Sequence, residues 1–344
     1  MKGMNEGIIK NAQRILIINL LYLGDLIFAT PFIKELRRNF PQARIDMIVN
    51  SAFLEIMEDN PYLDHVYAYN KKWSLRYSIG FARKIGKNKY DLGLNIHGSW
   101  RTALLMRIIN PEYNVGFNGE SRGVFLDLKL EQEDNKNMVH VYLDFLREIG
   151  LNVEDSLPRL MVSNEEKNNI DRRLIEWGVA EEEKLIALNT GGTWPTKRWK
   201  IEGFAELADI LNRQYGKVIF VGSKGDLARV EKIKALMETD PLIATGKTTL
   251  KELAALLERC QLVISNDSGP VHVAAAVGTP TITIFGPSDD RKYRPLGEEH
   301  YIVENGIECR PCGKHECPLG HHKCMQDIEA EDILSIIEES GLLN

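Results

Sequence analysis

The 344-residue sequence has no hydrophobic run long enough to cross a bilayer, which takes about 18 or more apolar residues. The longest run near the start, Ile15 to Leu21, is short and is interrupted by Asn19. It is followed by Gly24-Asp25 rather than by the small-residue cleavage site of a secretory signal. These absences argue against a membrane span and against secretion. The sequence therefore predicts a cytoplasmic protein.

A basic excess, a dinucleotide fingerprint and an internal repeat are also missing. Lys and Arg number 43 against 49 Asp and Glu, giving a formal net charge of -6, so a dedicated nucleic-acid-binding protein is not expected. The loop after the first predicted strand has no G-x-G-x-x-G motif, which disfavours a nicotinamide-dependent oxidoreductase. No repeat of about 20 to 50 residues is evident, which excludes a solenoid. The composition is that of an ordinary globular protein.

Strand-like and helix-like segments alternate along the chain. Arg14 to Asn19 and Arg44 to Val49 are β-branched, apolar runs of strand length, and the spacing between them predicts a helix from Ile27 to Asn39. The alternation stops at a polar, proline-containing stretch from Leu151 to Ser163 and then starts again. This pattern predicts an α/β protein with two doubly wound domains, residues 1–160 and 161–328, followed by a helix within 329–344.

In such sheets, ligands bind beyond the carboxyl ends of the strands, so the loops there are the candidate sites. The first of these loops, LLYLGD, ends in Asp25 beside a flexible glycine. Asp25 could simply cap the helix that follows it. A carboxylate at this position could also face a ligand and accept a proton. The residues alone leave both interpretations open.

The second loop, NTGGTWPTKRW, follows the first strand of the second domain. Gly191 and Gly192 allow backbone N–H groups to approach an anion, Thr190 offers a hydroxyl, and Lys197 and Arg198 add positive charge. Small donors together with a cation are typical of phosphate binding. The alternative is an ordinary turn with solvated charges.

The third loop, SNDSGPVH, is the most specific of the three. It places a tight turn after a strand and Pro270 at the first position of the following helix, where the missing N–H costs nothing. The free N–H groups and the dipole of such a helix would hold a pyrophosphate without a metal ion. His272 lies in the first turn and could add a hydrogen bond, although a lone histidine is more often structural.

Three segments together carry a family resemblance: LGDLIFATP with Asp25, TGGTWPTKRW with Lys197, and NDSGPVHVAAAVGTPTITIFGPSD. They resemble glycosyltransferase family 9, the ADP-heptose:lipopolysaccharide heptosyltransferases, and the similarity extends from Arg14 to about Ile328. The resemblance implies a GT-B fold, in which two Rossmann-like domains face a central cleft. It also implies an acceptor on the N-terminal domain, a nucleotide sugar on the C-terminal domain, and inverting transfer without a metal or other cofactor.

The resemblance also implies roles for individual residues. Asp25 would be the general base that deprotonates the acceptor hydroxyl, and Lys197 would stabilise the departing diphosphate. Partial desolvation can raise the pKa of a carboxylate towards the working pH, which suits Asp25 to this role. Donor-binding positions implied by the family are Thr190, Gly191, Gly192, Thr248, Asp267, Ser268, Gly269 and His272.

The acceptor implied by the family is the anionic inner core of lipopolysaccharide. Arg101, Arg122 and His140 stand at positions that resemble acceptor contacts. Other cations of the first half would add to a basic rim facing the inner membrane, where the protein would be peripheral. Each of them alone could be an ordinary solvated side chain. They are Lys71, Lys72, Arg76, Arg83, Lys84, Lys87 and Lys89.

Five cysteines are unevenly placed, with Cys260 alone and four crowded into the segment CRPCGKHECPLGHHKC. The spacing of Cys309, Cys312, Cys317 and Cys324 permits a zinc site, but structural zinc usually shows two separated pairs. The sequence therefore favours a local structural role for these thiols, by pairing or tight packing, and no metal site. Zinc binding and a redox or catalytic role are the alternatives.

The function predicted from the sequence is transfer of heptose from ADP-L-glycero-D-manno-heptose to Kdo or heptose of the lipopolysaccharide core. One alternative is a transferase that uses another nucleotide sugar or another acceptor. A second alternative is a non-catalytic nucleotide-sugar-binding module with a Cys-rich zinc site.

Overall fold

The computed structural model describes residues 7–118 and 125–343. The chain folds into two compact units, Met1–Pro158 and Arg159–Asn344. Each unit contains a six-stranded sheet in which all paired strands are parallel. Helices connect the strands, because parallel neighbours need a crossover. This confirms the predicted fold class of two doubly wound α/β domains.

The first unit alternates strands and helices along the chain. Its strands are β1 (Arg14–Asn19), β2 (Arg44–Asn50), β3 (His65–Tyr69), β4 (Leu92–Asn95), β5 (Tyr113–Phe117) and β6 (Leu128–Leu130). Its helices are α1 (Leu23–Phe28), α2 (Thr30–Asn39), α3 (Leu54–Met57), α4 (Leu75–Gly86), α5 (Trp100–Ile109) and α6 (Met138–Glu148).

The strand order of the first sheet is β3-β2-β1-β4-β5-β6. Five of the six residues of β1 are buried, because helices cover both faces of the sheet. The order reverses between β1 and β4, where Ile18 pairs with Asn95. Connections leave these two strands in opposite directions, which opens a crevice for ligands at their carboxyl ends.

The second unit repeats this plan. Its strands are β7 (Leu185–Asn189), β8 (Lys217–Val221), β9 (Leu242–Ile243), β10 (Leu262–Asn266), β11 (Thr281–Ile284) and β12 (His300–Val303). Its helices are α7 (Asn164–Glu176), α8 (Ile201–Gln214), α9 (Leu227–Lys234), α10 (Leu250–Arg259), α11 (Gly269–Val277), α12 (Asp290–Tyr293), α13 (Lys323–Gln326) and α14 (Ala330–Ser340). The order β12-β11-β10-β7-β8-β9 places the reversal between β7 and β10.

The last helix, α14, belongs to the core of the second unit. Its Ile333 and Ile337 are buried in the cluster that contains Phe204 of α8. Just before the helix, the carbonyl of Ile328 accepts a 2.9 Å hydrogen bond from the indole Nε1 of the fully buried Trp199. The end of the chain is therefore tied to the loop that precedes α8.

The predicted helix from Ile27 to Asn39 is wrong at its start. The structure has two helices, and α1 begins four residues earlier than predicted, at Leu23. They meet at Ala29, because Pro31 has no N–H with which to continue the helical hydrogen bonding. The hydroxyl of Thr30 donates instead to the carbonyl of Ile27 at 2.8 Å.

Across residues 7–118 and 125–343, the structure contains no helix with the length and hydropathy that a membrane crossing requires.

Candidate functional site

Asp25 lies at the switch point of the first sheet, in the first turn of α1 after β1. Tyr22 is the N-cap residue of that helix, so the interpretation of Asp25 as the N-cap is wrong. The carboxylate sits at the third helical position, and its Oδ2 accepts a 3.2 Å hydrogen bond from the backbone N–H of Tyr22. Asp25 is half-buried. One of its oxygens thus holds the loop in place.

One cation, Lys71, lies beside Asp25, and a second, Arg101, contacts Lys71. The Nζ atom of Lys71 is 5.0 Å from the centre of the Tyr22 ring. Burial lowers the pKa of Lys71, the charge of Asp25 opposes that shift, and Arg101 adds to it. Arg101, exposed at the start of α5, donates from Nη1 to the backbone carbonyl of Lys71 at 2.9 Å. The structure therefore brings the predicted base and one predicted acceptor residue together, through a lysine for which no individual role was predicted.

His140, another predicted acceptor residue, contacts a different segment of the first unit. His140 lies in the first turn of α6, where its Nδ1 is 3.8 Å from the Oδ1 atom of Asp155. Arg122 lies outside the described residues.

Two buried asparagines at the strand ends shape the crevice of the second sheet. Asn189 ends β7, and its Nδ2 donates to the hydroxyls of Ser265 at 3.0 Å and Ser268 at 2.7 Å. Asn266 ends β10, and its Nδ2 donates to the carbonyls of Thr190 and Gly191, both at 2.9 Å. Each asparagine fixes the loop that follows the other strand. The two predicted donor loops therefore form one structure.

The glycine loop after β7 is tightly packed. A Cβ atom added to Gly191 would lie 2.9 Å from the carboxylate of Asp226, so no larger residue fits without displacing that side chain. Thr190 is fully buried and its hydroxyl has no hydrogen-bond partner in the described part of the chain. Gly192 is half-exposed. Gly192 is therefore exposed to a ligand, whereas the hydroxyl of Thr190 is not.

Lys197 reaches across this crevice to Asp267. It ends a short 3-10 turn over Pro195–Lys197, and its Nζ lies 2.6 Å from the Oδ2 of Asp267. The side chain of Lys197 is 17% exposed and that of Asp267 is 4% exposed. The ammonium also lies 4.7 Å from the centre of the Trp194 ring, within range of a cation–π interaction. An acid and an aromatic ring thus hold the largely buried cation in one position.

Asp267 is ionised despite its burial. Burial by itself would raise its pKa, but His272 and Lys197 outweigh that effect and lower the pKa to about 2. The Nε2 atom of His272 is 3.9 Å from Oδ1, which is an ion-pair distance and too long for a hydrogen bond. The hydroxyl of Ser288 donates to Oδ2 at 2.5 Å. Asp267 and His272 therefore lie beneath the surface of the site.

Ser288 had no predicted role, although it lies in the segment NDSGPVHVAAAVGTPTITIFGPSD that carries the family resemblance. It follows β11, the strand beside β10, so its position after a central strand was the available signal. The turn above Asp267 is formed by Ser268 and Gly269, which are both half-buried. Helix α11 begins at Gly269, so Pro270 occupies its second position and the prediction of the first is wrong. At either position the missing N–H of proline removes no helical hydrogen bond.

Thr248 lies in the loop after β9 and is half-buried. The next residue, Thr249, caps α10 by accepting a 3.1 Å hydrogen bond from the N–H of Glu252. That cap fixes the backbone next to Thr248, which the family resemblance implies as a donor-binding position.

The cysteine-rich segment packs against the loop that carries Lys197. Thr196 Oγ1 donates to the carbonyl of Lys314 at 2.7 Å, and the Nε2 atom of His322 lies 2.7 Å from the carbonyl of Thr196. The ring of His315 stacks on Trp194 with centroids 4.0 Å apart. Nothing in the sequence pattern links these segments. Their contact makes the cysteine-rich segment a support for the predicted catalytic loop.

The four clustered cysteines line a single small cavity beside Thr196, together with His321 and His322. Several backbone N–H groups lower the pKa of the Cys317 thiol, and the N–H of His322 has the largest effect. Burial raises the pKa of Cys324 to about 11. Within residues 7–118 and 125–343, no group of three or more His, Cys, Asp or Glu side chains is arranged to hold a metal ion.

Comparison with known proteins identifies relatives over nearly the whole chain. The model of the family described as glycosyltransferase family 9 (heptosyltransferase) matches residues 79–323. A lipopolysaccharide heptosyltransferase 3 of Escherichia coli is 31% identical over 284 residues, which cover 79% of this chain and 83% of that protein.

Solved structures also match nearly the whole chain. A glycosyl transferase family 9 protein from Veillonella parvula superposes with a TM-score of 0.89 and 29% identity, covering 96% of this chain and 97% of the other. The ADP-heptose lipopolysaccharide heptosyltransferase II of E. coli shares the fold, with a TM-score of 0.82 and 24% identity over 96% and 98% of the two chains.

Proposed function

Because this chain belongs to glycosyltransferase family 9, as its sequence motifs predicted, we propose that it transfers heptose from ADP-L-glycero-D-manno-heptose to lipopolysaccharide. The acceptor is a sugar of the inner core, Kdo or a heptose already attached to it. The names of its relatives, lipopolysaccharide heptosyltransferases, support heptose as the transferred sugar and lipopolysaccharide as the acceptor. The reaction would take place at the inner face of the cytoplasmic membrane.

Asp25 is the proposed general base. The acceptor hydroxyl attacks the anomeric carbon, its proton passes to the Asp25 carboxylate, and the bond between that carbon and the diphosphate oxygen breaks. The bonding electron pair leaves with ADP, and a single displacement of this kind inverts the anomeric centre. Lys71 lies beside Asp25 and Arg101 contacts Lys71, so an anionic acceptor would find positive charge next to the base.

Lys197 is the proposed electrostatic partner of the leaving group. Negative charge grows on the diphosphate as the bond breaks, and a cation already in place stabilises that charge without reorganisation. The turn at Ser268 and Gly269 adds the start of α11, with the positive end of the helix dipole. These groups take the place of a metal ion in the proposed mechanism.

The observation that carries the proposal is the lysine–aspartate pair at the switch point of the second sheet. Asp267 is buried and ionised, so it holds Lys197 in one position rather than binding the anion itself. A simple solvated lysine would have neither a buried partner nor a ring beneath it. A fixed cation beside a glycine loop and a helix start suits a diphosphate.

The test is a panel of nucleotide sugars with two acceptors, Kdo2-lipid A and the same molecule carrying one heptose, with products identified by mass. We expect one heptose added to one of the acceptors from ADP-heptose, and an unchanged rate after treatment with a chelator. Transfer from another nucleotide sugar in preference to ADP-heptose would refute the proposed donor. Binding of ADP-heptose with neither transfer nor hydrolysis would identify a binding module instead of an enzyme.

A further inference from the structure

One side-chain contact joins the loop that carries Asp25 to the loop after a neighbouring strand of the first sheet. The backbone N–H of Leu20, directly after β1, donates to the Nδ1 atom of His97 at 3.0 Å. His97 stands 77 residues further along the chain, in the loop after β4. It had no predicted role. The bond therefore ties the loop of the proposed base to a segment that no sequence pattern connected with it.

The bond lies at the switch point of the sheet. Strands β1 and β4 are parallel neighbours, with Ile18 paired to Asn95, so the loops that follow them leave the sheet side by side. The N–H of Ile96 donates to the carbonyl of Ile18 at 3.2 Å. Just beyond that bond, the N–H of Leu20 donates back to the ring of His97. The ring thus continues the contact between the two segments past the ends of the strands.

Two further contacts of the Asp25 loop are local. The N–H of Leu21 donates to the Oδ1 atom of Asn19 at 3.0 Å, and that of Tyr22 donates to Asp25 itself at 3.2 Å. Each acceptor lies within three residues of its donor, so these bonds shape the loop. The bond to His97 instead sets the loop against the end of another strand.

The backbone of His97 is held on both sides. Strand β4 ends two residues before it, and Gly98 follows it with a φ of +66°, in the left-handed region that favours glycine. Ser99 then caps α5, where its hydroxyl accepts a 3.3 Å hydrogen bond from the N–H of Thr102. A ring fixed between a strand end and a capped helix is a rigid support for the loop of Asp25.

The chemistry of the bond defines one form of the ring. A backbone N–H can only donate, so the Nδ1 atom of His97 is the acceptor and carries no proton. The neutral ring then carries its proton on Nε2. Leu20 is buried, so the loop would have to move for its N–H to reach water if the ring were removed. The bond therefore couples the side chain of His97 to the position of the loop.

We propose that His97 is a positioning residue for the base: it holds the loop in the arrangement in which the Asp25 carboxylate meets the acceptor hydroxyl. The inference rests on the proposed role of Asp25. His97 acts through the main chain of Leu20, five residues before the base, and takes no proton from the acceptor. A misplacement of about 1 Å can cost about 100-fold in rate, so one bond at this place is enough to change catalysis.

The first test is steady-state transfer from ADP-heptose by three variants of His97. In His97→Ala, kcat should fall by about 10- to 100-fold with an unchanged KM for ADP-heptose, because the donor loops belong to the second unit. His97→Asn should recover most of kcat, since the asparagine Oδ1 stands close to the place of Nδ1 and can accept from Leu20. His97→Gln should not, because its oxygen stands near the place of Nε2.

The matched control is His65→Ala. His65 is an exposed histidine of the same sheet, and it begins β3, so it lies at the end opposite to the switch-point loops. This variant should keep the kcat of the original protein. If His97→Ala does not fold, as judged by its thermal unfolding, the comparison of His97→Asn with His97→Gln decides the question.

Amide hydrogen exchange at single-residue resolution tests the bond without any sugar. The N–H of Leu20 should exchange about tenfold faster or more in His97→Ala, and at about the original rate in His97→Asn. In protein with ¹⁵N-labelled histidine rings, the His97 signals should show a bare Nδ1 and a protonated Nε2. Unchanged exchange in His97→Ala, or a proton on Nδ1, would overturn the inference.

The outcomes separate this inference from the proposed function. An original kcat in His97→Ala would overturn the positioning role, as would recovery by His97→Gln instead of His97→Asn. A raised KM for the acceptor with an unchanged kcat would place the ring against the acceptor, and the inference would be wrong. Full activity in Asp25→Asn would refute the proposed base, whereas faster exchange at Leu20 in His97→Ala would still show that the ring holds the loop.

Discussion

The ammonium of Lys197 lies 2.6 Å from the carboxylate of Asp267, and the two residues are 70 positions apart in the chain. Both side chains are largely removed from water, which makes the pair interdependent. Removing one partner of such a pair leaves a charge without compensation, whereas removing both does not. Substitutions at this pair can therefore change the stability of the site and its chemistry separately.

Lys197→Gln should reduce kcat/KM for the donor by about 100-fold and destabilise the fold by about 3 kcal/mol, because Asp267 is left buried without its cation. The double variant Lys197→Gln with Asp267→Asn should recover most of the stability and none of the activity. Urea unfolding and steady-state kinetics measure the two effects. If the double variant lost as much free energy of unfolding as the two single variants together, that result would contradict the pairing.

Ser288→Ala should lower activity less than Asp267→Asn does, since the hydroxyl acts only through the Asp267 carboxylate. A hydrogen bond to a charged group contributes about 1.5 to 3 kcal/mol, so a comparable loss of stability is expected. The distinguishing readout is the pH at which Asp267 titrates, followed by NMR, which should move upward from about 2 in Ser288→Ala. An unmoved titration would remove the positioning role of Ser288.

Asp25→Asn should abolish transfer while ADP still binds with its original affinity, because the proposed base belongs to the first unit and the donor loops to the second. An amide cannot accept the proton, yet it can still accept the hydrogen bond from the N–H of Tyr22. Calorimetry with ADP and product detection by mass supply the two readouts. Full activity in Asp25→Asn would refute its role as base.

Stability should fall in acid because of His300. Burial lowers the pKa of His300 from 6.5 to about 4, and the nearby His272 and Arg159 add to that effect. As the pH falls below the ordinary pKa of histidine, the unfolded chain takes up a proton at His300 before the folded chain does. The stability that the neutral, buried His300 gives is therefore complete above about pH 6.5 and is lost as the pH falls towards 4. Between about pH 7 and about pH 5, the free energy of unfolding of the original protein should fall by about 1 to 2 kcal/mol more than that of His300→Gln. Equal losses in urea unfolding would contradict the burial of a neutral histidine.

Cys317 should be the fastest of the cysteines to react with iodoacetamide at neutral pH. Amide N–H groups lower the pKa of its thiol, while burial raises those of Cys324 to about 11 and Cys260 to about 12. Thiolates are the reactive species, so timed alkylation followed by peptide mass analysis should give this order. Because the segment supports Thr196, alkylation should also slow transfer, and Cys317→Ser should be protected from that loss.

Much of the fold could be predicted from the sequence. The buried strands β1, β7 and β10 appear as continuous apolar runs, since helices cover both faces of a parallel sheet. Shorter strands such as β6 and β9, with three and two residues, have no pattern long enough to detect. The break between α1 and α2 was missed because the apolar spacing continues through it, although Pro31 was visible.

The candidate site was predicted in its parts and not in its arrangement. Glycines, a lysine and a helix start after strands indicated phosphate chemistry, and Asp25 after β1 indicated a base. The sequence could not distinguish residues that reach the surface, such as Gly192, from those beneath it, such as Asp267 and Thr190. That distinction depends on packing from neighbouring strands.

The sequence by itself determined the two α/β domains, the family and the loops that carry chemistry, because each follows from local hydrophobic periodicity or from a short motif. Only the tertiary structure decided that Asp267 holds Lys197, that Ser288 holds Asp267, and that the cysteine-rich segment supports Thr196. These contacts join segments 21 to 118 residues apart. Their geometry follows from the strand order and the close packing of distant elements, which no local pattern encodes.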